Sequence, residues 1–334
     1  MHRSAGGPAT ATCAGGIARQ AAPVSTSVPT TRSTRDTGAA LMADKSAIEW
    51  TEASWNPIGG CSVISPGCQR CYAMRLAGGR LRSSPKYRGL TEPSKAGPVW
   101  NGDMRLWEKA LDQPLRWKKP RRIFVNSMSD LFHEAVPDEW IDRIFAVMAI
   151  AQQHTFQVLT KRADRMRRYL EMRRGNNLGL RWAAAAVNVL GLGRRDIGRY
   201  PGIPLPNVWL GVSVENQEHD VRIRELLATP AAVRWVSLEP LLGPVDMAMY
   251  LEQDPLWRHL ALDAPAALDW VVLGGESGMH ARPMHPDWAR SVASQCRAAG
   301  VPFFMKQMMV DGMMRKELEQ FPCDLQVREY PNAS

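Results

Sequence analysis

From about residue 120 the chain repeats one unit: a short run of β-branched and aromatic residues, a few polar residues, then a stretch with helical periodicity. The runs are RIFVNSMSD, HTFQVLTKR, NVWLGVSVE, VRWVSLEP, DWVVLGGESG and VPFFMKQ. Most are continuously apolar and do not alternate, as parallel strands covered on both faces must be. Between them, PDEWIDRIFAVMAIAQQ puts Trp140, Ile144, Val147, Met148 and Ala151 on one helical face, and PDWARSVASQCRAAG does the same with Trp288, Val292, Cys296 and Ala299. Both open on Pro then Asp, residues suited to a first helical turn. RADRMRRYLEMRR and NQEHDVRIRELLAT are predicted to be helices as well. Strand alternating with helix requires right-handed βαβ units, and so either a (β/α) barrel or an open doubly wound sheet.

The polar residues that close each run separate the two. Ser127, Ser129, Asp130, Thr160, Lys161, Ser213, Glu215, Glu239, Glu276 and Lys306 all stand at the C-terminal ends of runs. In a barrel such ends converge on one mouth. A doubly wound sheet gathers its ligand groups at one switch point, and no run is followed by G-x-G-x-x-G. The expectation is an α/β fold, a partial or full (β/α) barrel of parallel strands over residues 43–334 as a single domain. A Gly/Pro/Arg-rich insertion at about 171–206 interrupts it, as a lid or an exposed excursion. Residues 1–42, rich in Ala, Gly, Ser and Thr, lack the apolar residues of a packed core and are expected to be a disordered extension, with Met42 an alternative start.

The 42 Lys and Arg against 33 Asp and Glu give a net charge of +9, which attracts polyanions but is also common on ordinary enzymes. No apolar run approaches the roughly 18 residues of a membrane span. Cysteines 13, 61, 68, 71, 296 and 323 are too few and too unevenly spaced to suggest a disulfide scaffold, so a reducing, cytoplasmic setting is expected. Three of them, Cys61, Cys68 and Cys71, fall in CSVISPGCQRCYA, just after the first predicted strand EASWNPIGG. Thiolates bind soft or borderline metals, and Gly59, Gly60, Pro66 and Gly67 let such a loop fold around one. A structural zinc needs four protein ligands. Cys296 lies on its helix's apolar stripe, the place of a buried thiol. A 4Fe-4S cluster on three cysteines would instead leave one iron open to a cofactor or substrate.

A three-cysteine loop after the first strand of such a barrel resembles the radical S-adenosylmethionine (SAM) superfamily. More closely, IEWTEASWNPIGGCSVISPGCQRCYA, RRIFVNSMSDLFHEAVPDEWIDRIFAVM, PNVWLGVSVENQ, SLEPLLGPVD, WVVLGGESG and ARPMHPDW together resemble a phage-associated three-cysteine family of unknown function, over most of residues 46–309. The resemblance implies a 4Fe-4S cluster on Cys61, Cys68 and Cys71, SAM as cofactor, an electron donor and a separately encoded partner protein. Two features depart from the wider superfamily. The first cysteine gap holds six residues where three are usual, with Arg70 before the last cysteine and Tyr72 after it, and the Gly-Gly-Glu motif does not follow the second strand.

With SAM on the open iron, Gly274 and Gly275 would let a strand end approach a ligand closely, and Glu276 could accept from ribose hydroxyls or an ammonium. Ser213 and Glu215 point the same way from one strand and could hold ribose, and Tyr72 adjoins the cluster. Asp130 and His133, three apart after a strand, could share a substrate-facing side; Lys161 and Lys306 could bind a substrate anion, and Glu239 stands similarly before a Pro turn. LRWKKPRRIF could hold phosphates with Trp117 stacked on a base, although a solvated approach to the next strand is the simpler account. Three functions fit: a radical SAM enzyme acting on nucleic acid or peptide, a zinc-binding nucleic-acid-binding protein without catalysis, or a hydrolase or transferase built on Asp130, His133 and Glu239.

Overall fold

The structure, a computed structural model, describes residues 46–173, 178–190, 203–251, 267–278 and 280–332. All lie in the larger of two compact units, Met42–Ser334. The expected extension at 1–42 lies outside the described residues, as do parts of the 171–206 insertion.

The chain enters the sheet at β1 (Ala53–Trp55), and β2 (Ile58–Gly59) leads into the cysteine loop and helix α1 (Tyr72–Gly78). Next come a hairpin of β3 (Thr91–Ser94) and β4 (Gly97–Trp100), then β5 (Arg105–Leu106), which pairs antiparallel with β2, and the single turn α2 (Gln113–Arg116). The repeating part begins with β6 (Arg122–Val125), α3 (Asp138–Ile150), β7 (Thr155–Thr160), α4 (Ala163–Glu171) and α5 (Leu178–Leu190). It continues with β8 (Val208–Ser213), α6 (Val221–Leu227), β9 (Val233–Leu238), α7 (Ala248–Leu251), β10 (Trp270–Gly274), α8 (Pro286–Ala299), β11 (Phe303–Val310) and β12 (Met313–Arg315).

The main sheet has eight strands in the order β1-β6-β7-β8-β9-β10-β11-β12. Only the β11–β12 hairpin is antiparallel, so the remaining strands run parallel in chain order with no reversal. A doubly wound sheet would reverse at a switch point. This sheet is wound in one direction, and α3, α4, α6 and α8 all pack on the same face. Among the described residues no ladder joins β1 to β12, so closure into a complete barrel is absent there and the sheet is an open, mostly parallel one.

Alternation along each strand divides the apolar residues between two faces. Ile123, Val125, Phe156, Val158, Val236 and Leu238 join Ile144, Met148, Ile223, Val292 and Cys296 of the helices in one core. The other face is aromatic: Phe124, Trp209, Trp235, Trp270 and Phe304 gather around Trp50, from the segment before β1. Trp50 lies 4.7 Å from Phe124, 5.1 Å from Trp235 and 6.3 Å from Trp270, ring centre to ring centre. One residue can touch strands that far apart in the sheet only if the sheet curls around it. Gly211 makes room for this layer, since a Cβ there would lie 2.3 Å from the Trp235 ring.

The described part of the insertion is neither lid nor exposed excursion. Its helix α5 packs on α3, with Trp182 stacked on Phe145 at 5.0 Å and fully buried. Trp182 and Ala186 carry this docking, although the Gly- and Arg-rich flanks dilute the periodicity in the sequence. No helix among the described residues is long and apolar enough to cross a membrane.

Candidate functional site

Past the aromatic layer, the residues next in line on the same face turn polar: Asn126 after Phe124, Ser213 after Trp209, Ser237 and Glu239 after Trp235, Lys306 after Phe304. They line a cavity of about 230 Å³ at the C-terminal ends of the parallel strands, where folds of this kind place their chemistry. Trp50, Phe124, Ile48 and Leu159 form its apolar floor.

The cysteine loop closes one side. Gly60, at φ +103°, starts it where a Cβ would lie 2.0 Å from the Asp103 carbonyl oxygen, and a bridge to Ser129 ties it to the end of β6. Pro66–Cys68 form a 3-10 turn, the Cys71 N–H donates to the Cys68 carbonyl at 3.2 Å, and Cys71 caps α1. Cys61, Cys68 and Cys71, each half-buried, all line the cavity. Tyr72 lines it too, anchored by its hydroxyl to the Ser127 carbonyl at 2.7 Å. Burial and then the Asp130 carboxylate push the Cys61 thiol up to about 12, and burial raises Cys71. Cys68 differs: burial opposes its ionisation, but Lys161 and hydrogen bonds from Ile64 and Ser65 outweigh it and the shift is downward.

Under the loop sits Glu215, fully buried. Lys161 and Arg222 pair with it, the latter at 2.8 Å, and Ser65 donates its hydroxyl at 2.6 Å. A Cβ at Gly67 would strike this group, 2.5 Å from Glu215 Oε1 and 2.8 Å from Lys161 Nζ, so any other residue there must push the buried ion pair aside. Burial pushes Lys161 down to about 8, partly offset by the neighbouring Cys68. Glu215, expected at the ribose, does not line the cavity and serves the loop from below.

Asp130 lines the cavity, but its oxygens are taken by Thr160 Oγ1 at 2.7 Å, Arg162 at 3.0 Å and the backbone N–H groups of Phe132 and Lys161. His133 lies outside the lining and is 4% exposed. Its Nδ1 accepts from the Ala135 N–H at 3.1 Å, which leaves the proton on Nε2, 2.9 Å from Ser62 Oγ. Burial, and then Arg162, hold this imidazole below its usual pKa and therefore neutral. Asp130 and His133 thus do not present a shared open side. They flank Arg162, which also donates to Ser62 at 2.7 Å and fixes the segment after Cys61.

Glu276 lines the rim, yet Arg282 occupies its carboxylate through the backbone N–H at 2.8 Å and the guanidinium, with Arg70 3.5 Å away. Burial would raise this carboxyl, but the Arg282 contacts prevail and hold it down. Arg282 also donates to the Pro66 carbonyl at 2.9 Å, joining the rim to the loop. Gly275 lines the cavity and exchanges hydrogen bonds with Gln307. Gly274 lies just behind, where a Cβ would be 2.6 Å from Glu239 Oε1. Ser213 donates to the Glu239 carbonyl at 3.1 Å, and Glu239 faces Lys306 at 2.9 Å.

Sequence reasoning missed Arg162, Arg222 and Arg282, whose partners lie on other elements, as well as Trp50 and Asn126. Asn126 carried a signal: a polar residue ending RIFVN on the same face as Phe124. The basic run at 116–122 does not offer its indole to a base. Trp117 is 9% exposed, under Arg121 at 4.9 Å and beside His154. Arg116 pairs with Asp112, and Arg122 lies over Tyr330 at 4.0 Å.

Fold and site together define an α/β protein with a singly wound, mostly parallel sheet and a thiol-lined cavity at the strands' C-terminal ends. The family described as protein of unknown function (DUF5131) matches residues 45–328, and the chain belongs to it. No curated protein matches the chain.

Proposed function

We propose that this chain is an enzyme of the radical SAM type, its sheet a partial barrel and its cavity the place where SAM and a substrate meet. The observation that carries the reading is that Cys61, Cys68 and Cys71 open together on one cavity at the C-terminal ends of parallel strands. Their donor chemistry fits a 4Fe-4S cluster: three soft thiols, with Lys161 and Arg162 lining the same cavity to offset thiolate charge. A structural zinc would require four donors gathered around one ion. Among the described residues no group of three or more His, Cys, Asp or Glu side chains is disposed to hold a metal ion. The three thiolates of a 4Fe-4S cluster bind three different irons and so stand farther apart than the ligands of one ion, though still around one cluster.

When bound, the cluster and SAM would supply one-electron reduction and a carbon radical able to abstract hydrogen. The chain's own residues bind, orient and exclude water. Arg162 and Ser62 hold the loop at Cys61, the Glu215 group holds it at Cys68, and Arg282 ties it to the rim. The apolar floor keeps water from the reacting groups. The reading includes an external electron donor, a cytoplasmic setting and a separately encoded partner.

Anaerobic reconstitution tests it, with iron, sulfide and ultraviolet-visible absorbance measured on the native chain and on Cys68→Ala. Broad absorbance with about four irons per chain, lost in the variant, is expected. The reconstituted native chain is then expected to release 5′-deoxyadenosine from SAM under strong reductant. Stoichiometric zinc without iron, or iron without SAM cleavage, would overturn the proposal.

A further inference from the structure

Two side chains lining the cavity floor hold a hydrogen-bond donor with no partner: the Trp50 indole N–H and Asn126 Nδ2. The residues are 1% and 2% exposed. A buried donor without an acceptor costs about 1–3 kcal/mol, so the complement of this floor is a ligand that brings acceptors. Asn126 cannot relieve the cost by turning its amide over, because its Oδ1 already accepts the Ile58 N–H at 3.3 Å. Its backbone is at φ +60°, a left-handed conformation that Asn adopts more readily than most residues other than glycine.

Glu239 and Lys306 present the opposite chemistry. Oε2 of Glu239 accepts from Ser237 Oγ at 2.9 Å. Oε1 pairs with Lys306 Nζ at 2.9 Å, and a carboxylate oxygen has a second lone pair for a further donor. The same cavity is therefore lined by two side chains with unpaired donors and by the Glu239–Lys306 ion pair, around the apolar surfaces of Phe124 and Leu159. A flat ring edged with both acceptors and donors satisfies all of these at once. Base edges carry that pattern, and enzymes that act on single bases read them by hydrogen bonds and stacking. A peptide amide offers one donor and one acceptor but no flat apolar face to lie on the floor.

We infer that the floor binds a nucleobase of the substrate, a reading that rests on the proposed function and names its substrate class. The test uses cluster-free protein, so it is independent of iron loading and of SAM cleavage. Cytidine, uridine, guanosine and adenosine are titrated separately by calorimetry, with N-acetylglycinamide as the peptide probe. At least one of the first three is expected to bind more tightly than adenosine. Trp50→Phe, which keeps an aromatic ring but removes the N–H together with part of the indole, and Lys306→Met should each weaken that binding about tenfold, one hydrogen bond's worth. Circular dichroism verifies that both variants fold. Preference for adenosine would mean that the floor holds the cofactor's own adenine and would overturn the inference. So would binding of the peptide probe alone, no binding at all, or nucleoside binding that neither variant weakens. A protein that binds uridine but no iron would keep this inference and lose the enzyme class, and the converse result would do the reverse.

Discussion

Glu215 is the residue on which most of the cysteine loop depends, because one buried carboxylate answers Lys161, Arg222 and the Ser65 hydroxyl together. Glu215→Gln keeps the shape and removes the charge, leaving two buried cations without their counter-ion. Breaking one partner from such a group costs roughly 3–5 kcal/mol. Denaturant unfolding of the variant should register a loss of that order, and a second change, Lys161→Met, should recover part of it. An unchanged midpoint would mean that solvent already screens the group. The alternation in VWLGVSVE placed Ser213 and Glu215 at the strand end from sequence alone. It could not place Arg222 and Arg282, which reach back from later turns to occupy Glu215 and Glu276. Free and occupied carboxylates have the same letter in a sequence, so residue roles were the least legible level.

At the scale of elements the strands were the most legible, since an unbroken apolar run has few other places to go than between two layers. Five of the helices are set by that same arrangement: α3, α4, α6 and α8 cover the outer face, and α5 docks on α3 through Trp182 and Phe145. Its weak periodicity hid it, because an element that packs on another helix needs only a narrow apolar stripe. Trp182→Ala should cost about 3–5 kcal/mol in thermal or chemical unfolding by opening a buried cavity. Nucleoside binding at the floor should stay as it is, because α5 stands on the outer side of the sheet. Weakened binding at full occupancy of the folded state would show that the insertion reaches the cavity after all.

For the whole molecule, the direction of winding was readable because each crossover carries its own helix, while curvature was not, because it depends on Trp50 meeting strands distant in sequence. pH acts at this scale through Lys86, whose ammonium donates to the Asn56 carbonyl beside the hairpin of β3 and β4 and whose pKa burial lowers to about 7. In the unfolded chain the group titrates near its ordinary value, about 10.4. Between these values the unfolded state holds more protons, so this group's contribution to stability rises with pH from about 7 to 10 and is flat below. Unfolding free energies for the native chain and Lys86→Met, compared across that window, should converge as pH rises. A difference independent of pH would mean the ammonium is already hydrated in the folded state.

The aromatic layer beneath the cavity has an optical consequence. Trp209, Trp235, Trp270 and Trp50 stand with ring centres 5.1 to 6.3 Å apart along the chain of contacts, close enough for their ultraviolet transitions to couple. Light absorbed by any one indole becomes a property of the set, and the near-ultraviolet dichroism of the protein will be dominated by it. Anything that settles on the floor meets the edge of that set at Trp50, so the molecule carries its own spectroscopic gauge of occupancy, with no label to attach.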